Sequence, residues 1–279
     1  MNQGPNIRTP VIQNTPAIQV RGLSKSFGAV HAVRGISFDV NQGECFALLG
    51  PNGAGKSTTI KLLITLLKPD AGEVSVNGFS LSRQPQRIRQ SIGYVPQSIS
   101  VDGVLTGREN LEFFGKIYGM KGRTLHENVN RLLKLFDLSE AADRAVSVYS
   151  GGMIRRLEIA ESVLHQPAVI FLDEPTVGLD PVARKTIWDL IRRLQSERKT
   201  TVLLTTHYME EAEELCSRIA VMNHGNIAAL GTLKELRQQA RLPRADMNRL
   251  FAHFVGAVED TEGDFKYVRR QRRNARRLG

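Results

Sequence analysis

The chain has 279 residues, of which 41% are hydrophobic and 24% charged. That length allows one large domain or two small ones, and the composition excludes collagen-like, low-complexity and disulfide-scaffold classes. The net charge is +10, but residues 266–279 carry seven basic and no acidic side chains, which leaves +3 for the remainder. The excess charge belongs to the C-terminal end, so a nucleic-acid-binding surface spread over the fold is not expected.

The first 16 residues are polar, with three prolines and one cation. We expect a flexible leader at 1–16 and no signal peptide. The longest apolar stretches, such as 62–67, reach about a third of the roughly 20 residues that a membrane-spanning helix needs, so no span is predicted. Cys45 and Cys216 lie in apolar runs without metal-ligand spacing and are expected to be reduced, buried thiols.

Short β-rich runs recur along most of the chain. They lie at 17–21, 36–40, 45–49, 74–76, 92–95, 169–172, 202–205, 219–222 and 227–230. Strands that alternate with helices predict an α/β fold. Between 105 and 165, apolar residues recur at helical spacing without a convincing strand. That segment is predicted to be an all-helical insertion.

The second half of the chain carries clear turn and helix signals. Residues 223–226, Asn-His-Gly-Asn, predict a hairpin turn, and Pro181 is placed to open a helix over 182–196. After Thr232 the pattern indicates two short helices, one of them near 246–255, and then the basic tail. The tail is either a solvated terminal segment, which we favour, or a site for anionic lipid or nucleic acid.

The most informative local motif is a glycine-rich run between a predicted strand and a predicted apolar helix at 59–67. The run comprises Gly50, Pro51, Asn52, Gly53, Ala54, Gly55, Lys56, Ser57 and Thr58. In this context it is a P-loop, in which glycines let backbone N–H groups converge on phosphate at a helix N-terminus. Lys56 reaches the β and γ oxygens, and Ser57 can ligate magnesium. The glycine spacing does not match the G-x-G-x-x-G of a Rossmann site.

Two carboxylates end the buried strand predicted at 169–172. Asp173 suits a magnesium-linked role and Glu174 suits a general base. An acidic residue after a strand is common in purely structural contexts, so the pair alone is weak evidence. Together with a P-loop it is the expected second half of a nucleoside triphosphate site.

Further motifs follow in a fixed order along the chain. They are Gln97 in Gly-Tyr-Val-Pro-Gln, Tyr149-Ser150-Gly151-Gly152-Met153, the two carboxylates, Gly178-Leu179-Asp180, and His207 in Thr-Thr-His. With the P-loop, they make residues 18–231 resemble the ATP-binding cassette (ABC) family. The resemblance is to the subgroup that accompanies daunorubicin-resistance and nodulation-type exporters. Met153 replaces the glutamine usual in the wider family.

The resemblance implies roles for three side chains near the phosphates and base. Phe27 stacks on adenine, and Gln97 meets magnesium or the attacking water and links the site to a transmembrane partner. His207 contacts the γ-phosphate and positions the water near Glu174. The structural alternatives are a strand-end core residue for Phe27, a solvated glutamine for Gln97 and a surface or helix-capping histidine for His207.

The resemblance also implies that one chain makes no complete site. Ser150, Gly151 and Gly152 form the signature that completes the γ-phosphate site of an opposing protomer, and Asp180 communicates between paired sites. Ser150 and Asp180 are also good helix caps, and both roles are compatible.

The implied architecture is α/β: a P-loop NTPase (RecA-like) core with an antiparallel β subdomain and an inserted α-helical subdomain. We expect an ATPase domain at 17–231, with the helical subdomain at about 98–165, and a helical extension with the basic tail at 232–279. The implied cofactors are ATP and Mg²⁺.

The implied function is that of a transporter ATPase, a homodimer or pseudo-symmetric pair bound to integral-membrane permeases at the cytoplasmic face. It would export a drug-like, lipid-like or oligosaccharide compound. The alternative is a non-transport ABC ATPase that acts on ribosomes or nucleic acid. The absence of a second cassette, a zinc module and a long coiled coil disfavours it.

Overall fold

Strands and helices alternate through residues 15–256, the residues that this computed structural model describes. The strands are β1 (Ile18–Phe27), β2 (Val30–Val40), β3 (Cys45–Leu49), β4 (Ala71–Val76), β5 (Phe79–Ser80), β6 (Ile92–Val95), β7 (Val169–Asp173), β8 (Thr201–Thr206), β9 (Arg218–Asn223) and β10 (Asn226–Gly231). The helices are α1 (Lys56–Leu63), α2 (Pro85–Ser91), α3 (Gly107–Ile117), α4 (Gly122–Leu135), α5 (Gly151–Val163), α6 (Pro181–Arg198), α7 (Met209–Leu215), α8 (Leu233–Ala240) and α9 (Met247–Val255). Most of the predicted leader and the whole basic tail lie outside the described residues.

A six-stranded sheet in the order β10-β9-β3-β8-β7-β6 forms the centre of the fold. Its strands are parallel except for β10, which pairs antiparallel with β9. β3, β7 and β8 are buried along their whole length. Continuous apolar runs are typical of parallel strands that are covered on both faces. The carboxyl ends of β3, β7 and β8 therefore lie side by side at one edge of the sheet.

A second, antiparallel sheet has the order β2-β1-β4-β5. β1 runs well beyond the predicted 17–21, and its pairing with β2 slips between Val20 and Leu23. Such a bulge resets the alternation of inward and outward side chains, so the polar stretch that follows shows no strand pattern. The stacked rings of Phe38 and Phe46, with centroids 5.3 Å apart, join this sheet to the central one.

The segment between β6 and β7 contains α3, α4 and α5 and no named strand. Leu111 of α3, Val129 and Leu132 of α4, and Phe136 are fully buried in a shared core. The α/β class, with an antiparallel sheet and inserted helices, is therefore confirmed. No helix within residues 15–256 combines the length and apolar character needed to cross a bilayer.

One predicted helix differs from the structure, and two short elements were not predicted. α1 spans Lys56–Leu63 and not 59–67, because Thr65 adopts a left-handed conformation with φ of 68° and the apolar run outlasts the helix. β5 has only two residues, too few for a periodic signal. α2 buries a single side chain, Ile88, and so lacks the apolar stripe by which an amphipathic helix is recognised.

The predicted hairpin and the two C-terminal helices are confirmed. Asn223 pairs with Asn226, and His224 and Gly225 have φ angles of 47° and 80°. Two successive positive φ angles are what a two-residue type I′ turn requires. The Asn223 side-chain amide donates to the Val255 carbonyl at 3.1 Å, which ties the end of α9 to this hairpin.

Phe136→Ala is expected to lower the free energy of unfolding by about 3–5 kcal/mol, because it removes a fully buried ring and leaves a cavity. Phe113→Ala is the matched control: its ring is 54% exposed, so we expect a change within about 0.5 kcal/mol. Urea denaturation of both variants measures the difference. Equal losses would show that the helical segment is not packed around Phe136.

Candidate functional site

A cavity of about 630 Å³ lies where the carboxyl ends of the central strands meet. Its walls include residues 52–58 after β3, Gln97 after β6, Glu174 after β7 and Phe27 at the end of β1. This volume is within the range of small-molecule sites. The central sheet and the antiparallel sheet thus contribute groups to one ligand-sized space.

The backbone of the P-loop depends on two glycines. Gly55 has φ of 99°, and a Cβ there would lie 2.3 Å from the Ala32 carbonyl oxygen. A Cβ on Gly50 would lie 2.5 Å from the Met222 carbonyl oxygen. Neither position accepts a side chain without moving neighbouring backbone, so the glycines set the shape of the loop.

The N-terminus of α1 is available to an anion. No side chain of the described residues caps it, and its first turn holds no acidic residue, whereas side chains cap α3, α5, α6, α8 and α9. Lys56 is buried beside it, and its ammonium donates to the carbonyls of Gly50 (2.8 Å) and Pro51 (3.1 Å). A positive helix end and a fixed ammonium favour phosphate here.

Asp173 is buried at the end of β7 and connects two neighbouring elements. Its Oδ1 accepts a hydrogen bond from Ser57 Oγ of α1 at 2.9 Å and another from Thr205 of β8. A serine hydroxyl and a carboxylate are the hard oxygen ligands that Mg²⁺ prefers, with phosphate oxygens and water completing its shell. The two side chains therefore fit a magnesium site next to the P-loop.

Glu174 is the point at which the predicted catalytic side chains meet. Its carboxylate lies 3.3 Å from Lys56 Nζ and 3.2 Å from His207 Nδ1, and it accepts a hydrogen bond from Gln97 Nε2 at 3.3 Å. The histidine contact lacks hydrogen-bond geometry. Although Glu174 is only 5% exposed, it lines the cavity, so a ligand there reaches it.

The rim of the cavity contains one predicted contact and several that sequence reasoning missed. Phe27 is 48% exposed, with Lys25 Nζ 5.6 Å from its ring centroid. His31 and Arg34 of β2 and His224 of the β9–β10 turn line the same space. No local motif marks these three residues as part of a binding site, because pairing between distant segments brings them to the cavity.

The signature residues and Asp180 form a separate group outside this cavity. Ser150 caps α5 and Asp180 caps α6, with Asp180 Oδ1 accepting from the amides of residues 182 and 183 at 2.9 Å. Cβ atoms built on Gly151 and Gly152 would lie 3.6 Å from Leu179 Cδ2 and 3.0 Å from Ala183 Cβ, which places the starts of the two helices side by side. Within the described chain, none of these residues lines the cavity that contains the P-loop.

The fold and the site define a P-loop nucleoside triphosphatase. A sequence model described as "ABC transporter" matches residues 33–177. The chain is 46% identical over 263 residues to the daunorubicin/doxorubicin resistance ATP-binding protein DrrA of Streptomyces peucetius, covering 90% of this chain and 79% of the relative. The chain therefore belongs to the ABC transporter family, and it is an ATP-binding and ATP-hydrolysing subunit.

Two further comparisons agree with this assignment. The chain is 44% identical over 227 residues to the Nod factor export ATP-binding protein I of Ralstonia nicotianae, covering 81% of this chain and 70% of the relative. Its fold matches a dimeric structure of the ATP-binding cassette MJ0796 in a post-hydrolysis state bound to ADP and Pi. That match has a TM-score of 0.70 and 27% identity, and covers 77% of this chain and 98% of the other.

A second cavity, of about 320 Å³, lies between β6 and helices α3 and α5. Leu66, Tyr94 and Phe114 provide apolar surface, while Glu158 and Glu161 provide acidic groups. Glu161 is 5% exposed, and its Oε1 has no hydrogen-bond partner among the described residues. Burial, and then the negative charge of Glu158, raise the pKa of Glu161 to about 8.

Glu161→Gln is expected to stabilise the fold increasingly as the pH rises from about 4.5 to about 8. Between the ordinary pKa of 4.5 and the raised value of about 8, the unfolded chain releases a proton that the folded chain keeps, so stability falls as pH rises. Glutamine removes this loss and should raise the melting temperature at pH 8.5 by about 5 °C, with little change at pH 4.5.

Thermal unfolding between pH 4.5 and 8.5 measures this difference. Glu140→Gln is the control, because Glu140 is exposed on the same helical segment and should leave the profile unchanged. If the melting temperature of Glu161→Gln changed with pH in parallel with that of the wild type, the raised pKa of Glu161 would be contradicted.

Proposed function

We propose that this chain hydrolyses ATP with Glu174 as the general base and thereby powers export by separate membrane-spanning permeases. The convergence of Lys56, Gln97 and His207 on the Glu174 carboxylate is the observation that carries the proposal. A buried carboxylate that faces a phosphate cavity is suitably placed to take a proton from an attacking water.

Hydrolysis is in-line attack of water on the γ-phosphoryl group. Lys56 stabilises charge that spreads over the phosphoryl oxygens, and Glu174 orients the water and accepts its proton. His207 contacts the γ-phosphate, and Phe27 stacks on adenine. Ser57 and Asp173 with Gln97 would hold Mg²⁺, which would supply further charge neutralisation.

Two chains share each site in this proposal. Ser150, Gly151 and Gly152 bring the free N–H groups of the start of α5 to the γ-phosphate bound by the opposing chain, and Asp180 lies beside them. Their absence from the lining of the P-loop cavity of their own chain supports this arrangement. The matching MJ0796 cassette is itself described as dimeric.

The permeases dock at the second cavity, and the ATPase pair is peripheral on the cytoplasmic face of the membrane. Leu66 is an exposed apolar side chain of this cleft, and Phe113 and Ile117 are exposed on α3, the helix that contributes Phe114 to it. Such a surface suits the apolar face of an amphipathic segment of a membrane protein. Gln97 and Ser100 belong to one loop, which reaches from the cleft to the ATP cavity.

The cargo is proposed to be a drug-like, lipid-like or oligosaccharide compound. The names of the relatives refer to daunorubicin and doxorubicin resistance, Nod factor export and linearmycin resistance. These names favour transport over action on ribosomes or nucleic acid. Anionic lipid as a partner of the tail at 266–279 is proposed from composition alone.

Glu174→Gln is expected to preserve ATP binding and to lower turnover about a hundredfold or more, because the amide accepts no proton. Steady-state phosphate release and nucleotide binding on the purified full chain measure the two effects. Glu210→Gln, at an exposed position outside the cavity, is the control and should hydrolyse normally. Undiminished turnover by Glu174→Gln would remove Glu174 from the role of base.

Mixing two inactive variants tests the shared site. Lys56→Ala disables the P-loop side. Ser150→Asp disables the signature side by placing negative charge against phosphate, yet keeps the cap of α5, since aspartate caps helices as well as serine. In a mixed dimer the intact P-loop of one chain faces the intact signature of the other. An equal mixture should regain about a quarter of wild-type ATPase activity if dimers form at random.

Ser150→Asn is the matched control, because it keeps the cap without the charge and should retain more activity than Ser150→Asp. Absence of recovery in verified mixed dimers would argue for sites built within one chain or for sites that turn over only in pairs. ATP-dependent dimerisation of Glu174→Gln, measured by light scattering, separates these two cases, because only a shared site links the chains through ATP.

A further inference from the structure

Arg155 lies in the second turn of α5 and is 6% exposed, yet it carries a full positive charge. Its guanidinium forms a fork between two parts of the site. Nη1 donates to the Pro96 carbonyl at 2.8 Å and to Glu158 at 3.0 Å. Nη2 donates to the carbonyls of Gln97 at 3.5 Å and Glu174 at 3.3 Å. Arg155, on the helix that begins with the signature residues, therefore contacts both the loop that carries Gln97 and the backbone of Glu174, the proposed base.

The backbone that Arg155 holds is strained. Glu174 has φ of 49°, a left-handed conformation that costs a non-glycine residue free energy and persists only where its surroundings enforce it. The Glu174 amide donates to the carbonyl oxygen and Oγ1 of Thr205, at 3.1 and 3.0 Å. Its carbonyl accepts from Arg155. The peptide groups on either side of the Glu174 Cα are therefore held from β8 and from α5.

Arg155 and Glu158 also hold the loop that carries Gln97. Glu158, one turn along α5, accepts from the backbone N–H and the hydroxyl of Ser100, at 2.7 and 3.0 Å. Arg155 and Glu158 together bind both ends of the 96–100 segment to α5. Any displacement of α5 then moves this loop and the Glu174 carbonyl together.

We infer that Arg155 is a positioning residue for hydrolysis, which sets the Glu174 carboxylate and the Gln97 loop according to the position of the signature helix. The inference rests on the proposed role of Glu174 as base. Since α5 begins at Ser150, engagement of one chain's signature with the opposing nucleotide is transmitted by the guanidinium to that chain's own base.

A purely structural ion pair between Arg155 and Glu158 is the competing explanation. It would account for the burial of two charges, but it leaves unexplained why Nη2 is directed at the Glu174 carbonyl. Removing one partner of a buried pair destabilises a protein whether or not the pair is functional. The test must therefore separate turnover from stability.

The decisive variant is Arg155→Lys. A lysine keeps the charge for Glu158, but its ammonium is a point donor and does not span the Pro96 and Glu174 carbonyls as the planar fork does. We expect kcat to fall about tenfold or more, with KM for ATP and nucleotide affinity within about twofold of wild type. A fall in melting temperature with unchanged kcat would overturn the inference.

Arg156→Lys is the matched control on the same helix. Arg156 donates to the carbonyls of Phe136 and Asp137, joining α5 to the end of α4 away from the ATP cavity. Arg156→Lys tests the loss of a guanidinium that supports α5 without contacting the 96–100 segment or Glu174. We expect wild-type kcat. A loss equal to that of Arg155→Lys would mean that general support of α5 explains both, and would overturn the inference.

Combining Arg155→Lys with Glu174→Gln distinguishes a positioning role of Arg155 from a purely structural one. If Arg155 acts through the Glu174 carboxylate, Arg155→Lys should reduce the residual single-turnover rate of Glu174→Gln by a smaller factor than it reduces the rate of the wild type. A full additional tenfold loss would contradict the inference. If Arg155→Lys does not fold, Arg155→Gln with Glu158→Gln removes both buried charges together and should show the same loss of kcat at normal ATP affinity.

Comparison of Glu174→Gln with Arg155→Lys distinguishes failure of the proposed function from failure of the inference on Arg155. Full activity of Glu174→Gln would overturn the proposed base and, with it, the role of Arg155. Loss of activity in Glu174→Gln with full kcat in Arg155→Lys would overturn the inference on Arg155 alone and leave the proposed function standing.

Discussion

Parallel pairing of β3, β8 and β7 is the constraint on which the rest of the structure depends. Burial of their continuous apolar runs stabilises the central sheet, and parallel direction brings all three carboxyl ends to one edge. The P-loop, Asp173 and the segment that ends in His207 are adjacent for this reason alone. Buried charges there are tolerated because each has partners: Lys56 has two carbonyls and Glu174, and Asp173 has two hydroxyl donors.

The same architecture separates the two groups of residues that are proposed to bind ATP. The P-loop faces a cavity next to the antiparallel sheet, whereas the signature residues and Asp180, at the starts of α5 and α6, lie side by side and do not line that cavity. Their caps, Ser150 and Asp180, fix the first turn of each helix. A capped helix start is preorganised, so the stabilising role and the proposed nucleotide role of these residues support each other. Arg155 is the side chain that joins α5 to Glu174, the proposed base.

Local chemistry explains which parts of the fold and site were predictable. The P-loop needs particular residues at fixed spacing, and the His224-Gly225 turn needs two positive φ angles, so both leave a signal within a few residues. By contrast, the bulge after Val20 hid most of β1, and the left-handed Thr65 ended α1 inside an apolar run. Arg34, His224 and Arg155 reach the site only through pairing and packing of distant segments, and no short window of sequence contains that information.

The sequence by itself determined the class of fold, the phosphate loop, the two carboxylates and the family, because each depends on residue type, spacing or order along the chain. Only the tertiary structure decided that Lys56, Gln97 and His207 converge on the Glu174 carboxylate, and that the signature residues do not line the P-loop cavity. It also decided which arginine of the adjacent pair, 155 or 156, turns toward Glu174. The physical reason is that burial and hydrogen-bond partners are properties of contacts between remote segments, which exist only once the sheets and helices have packed.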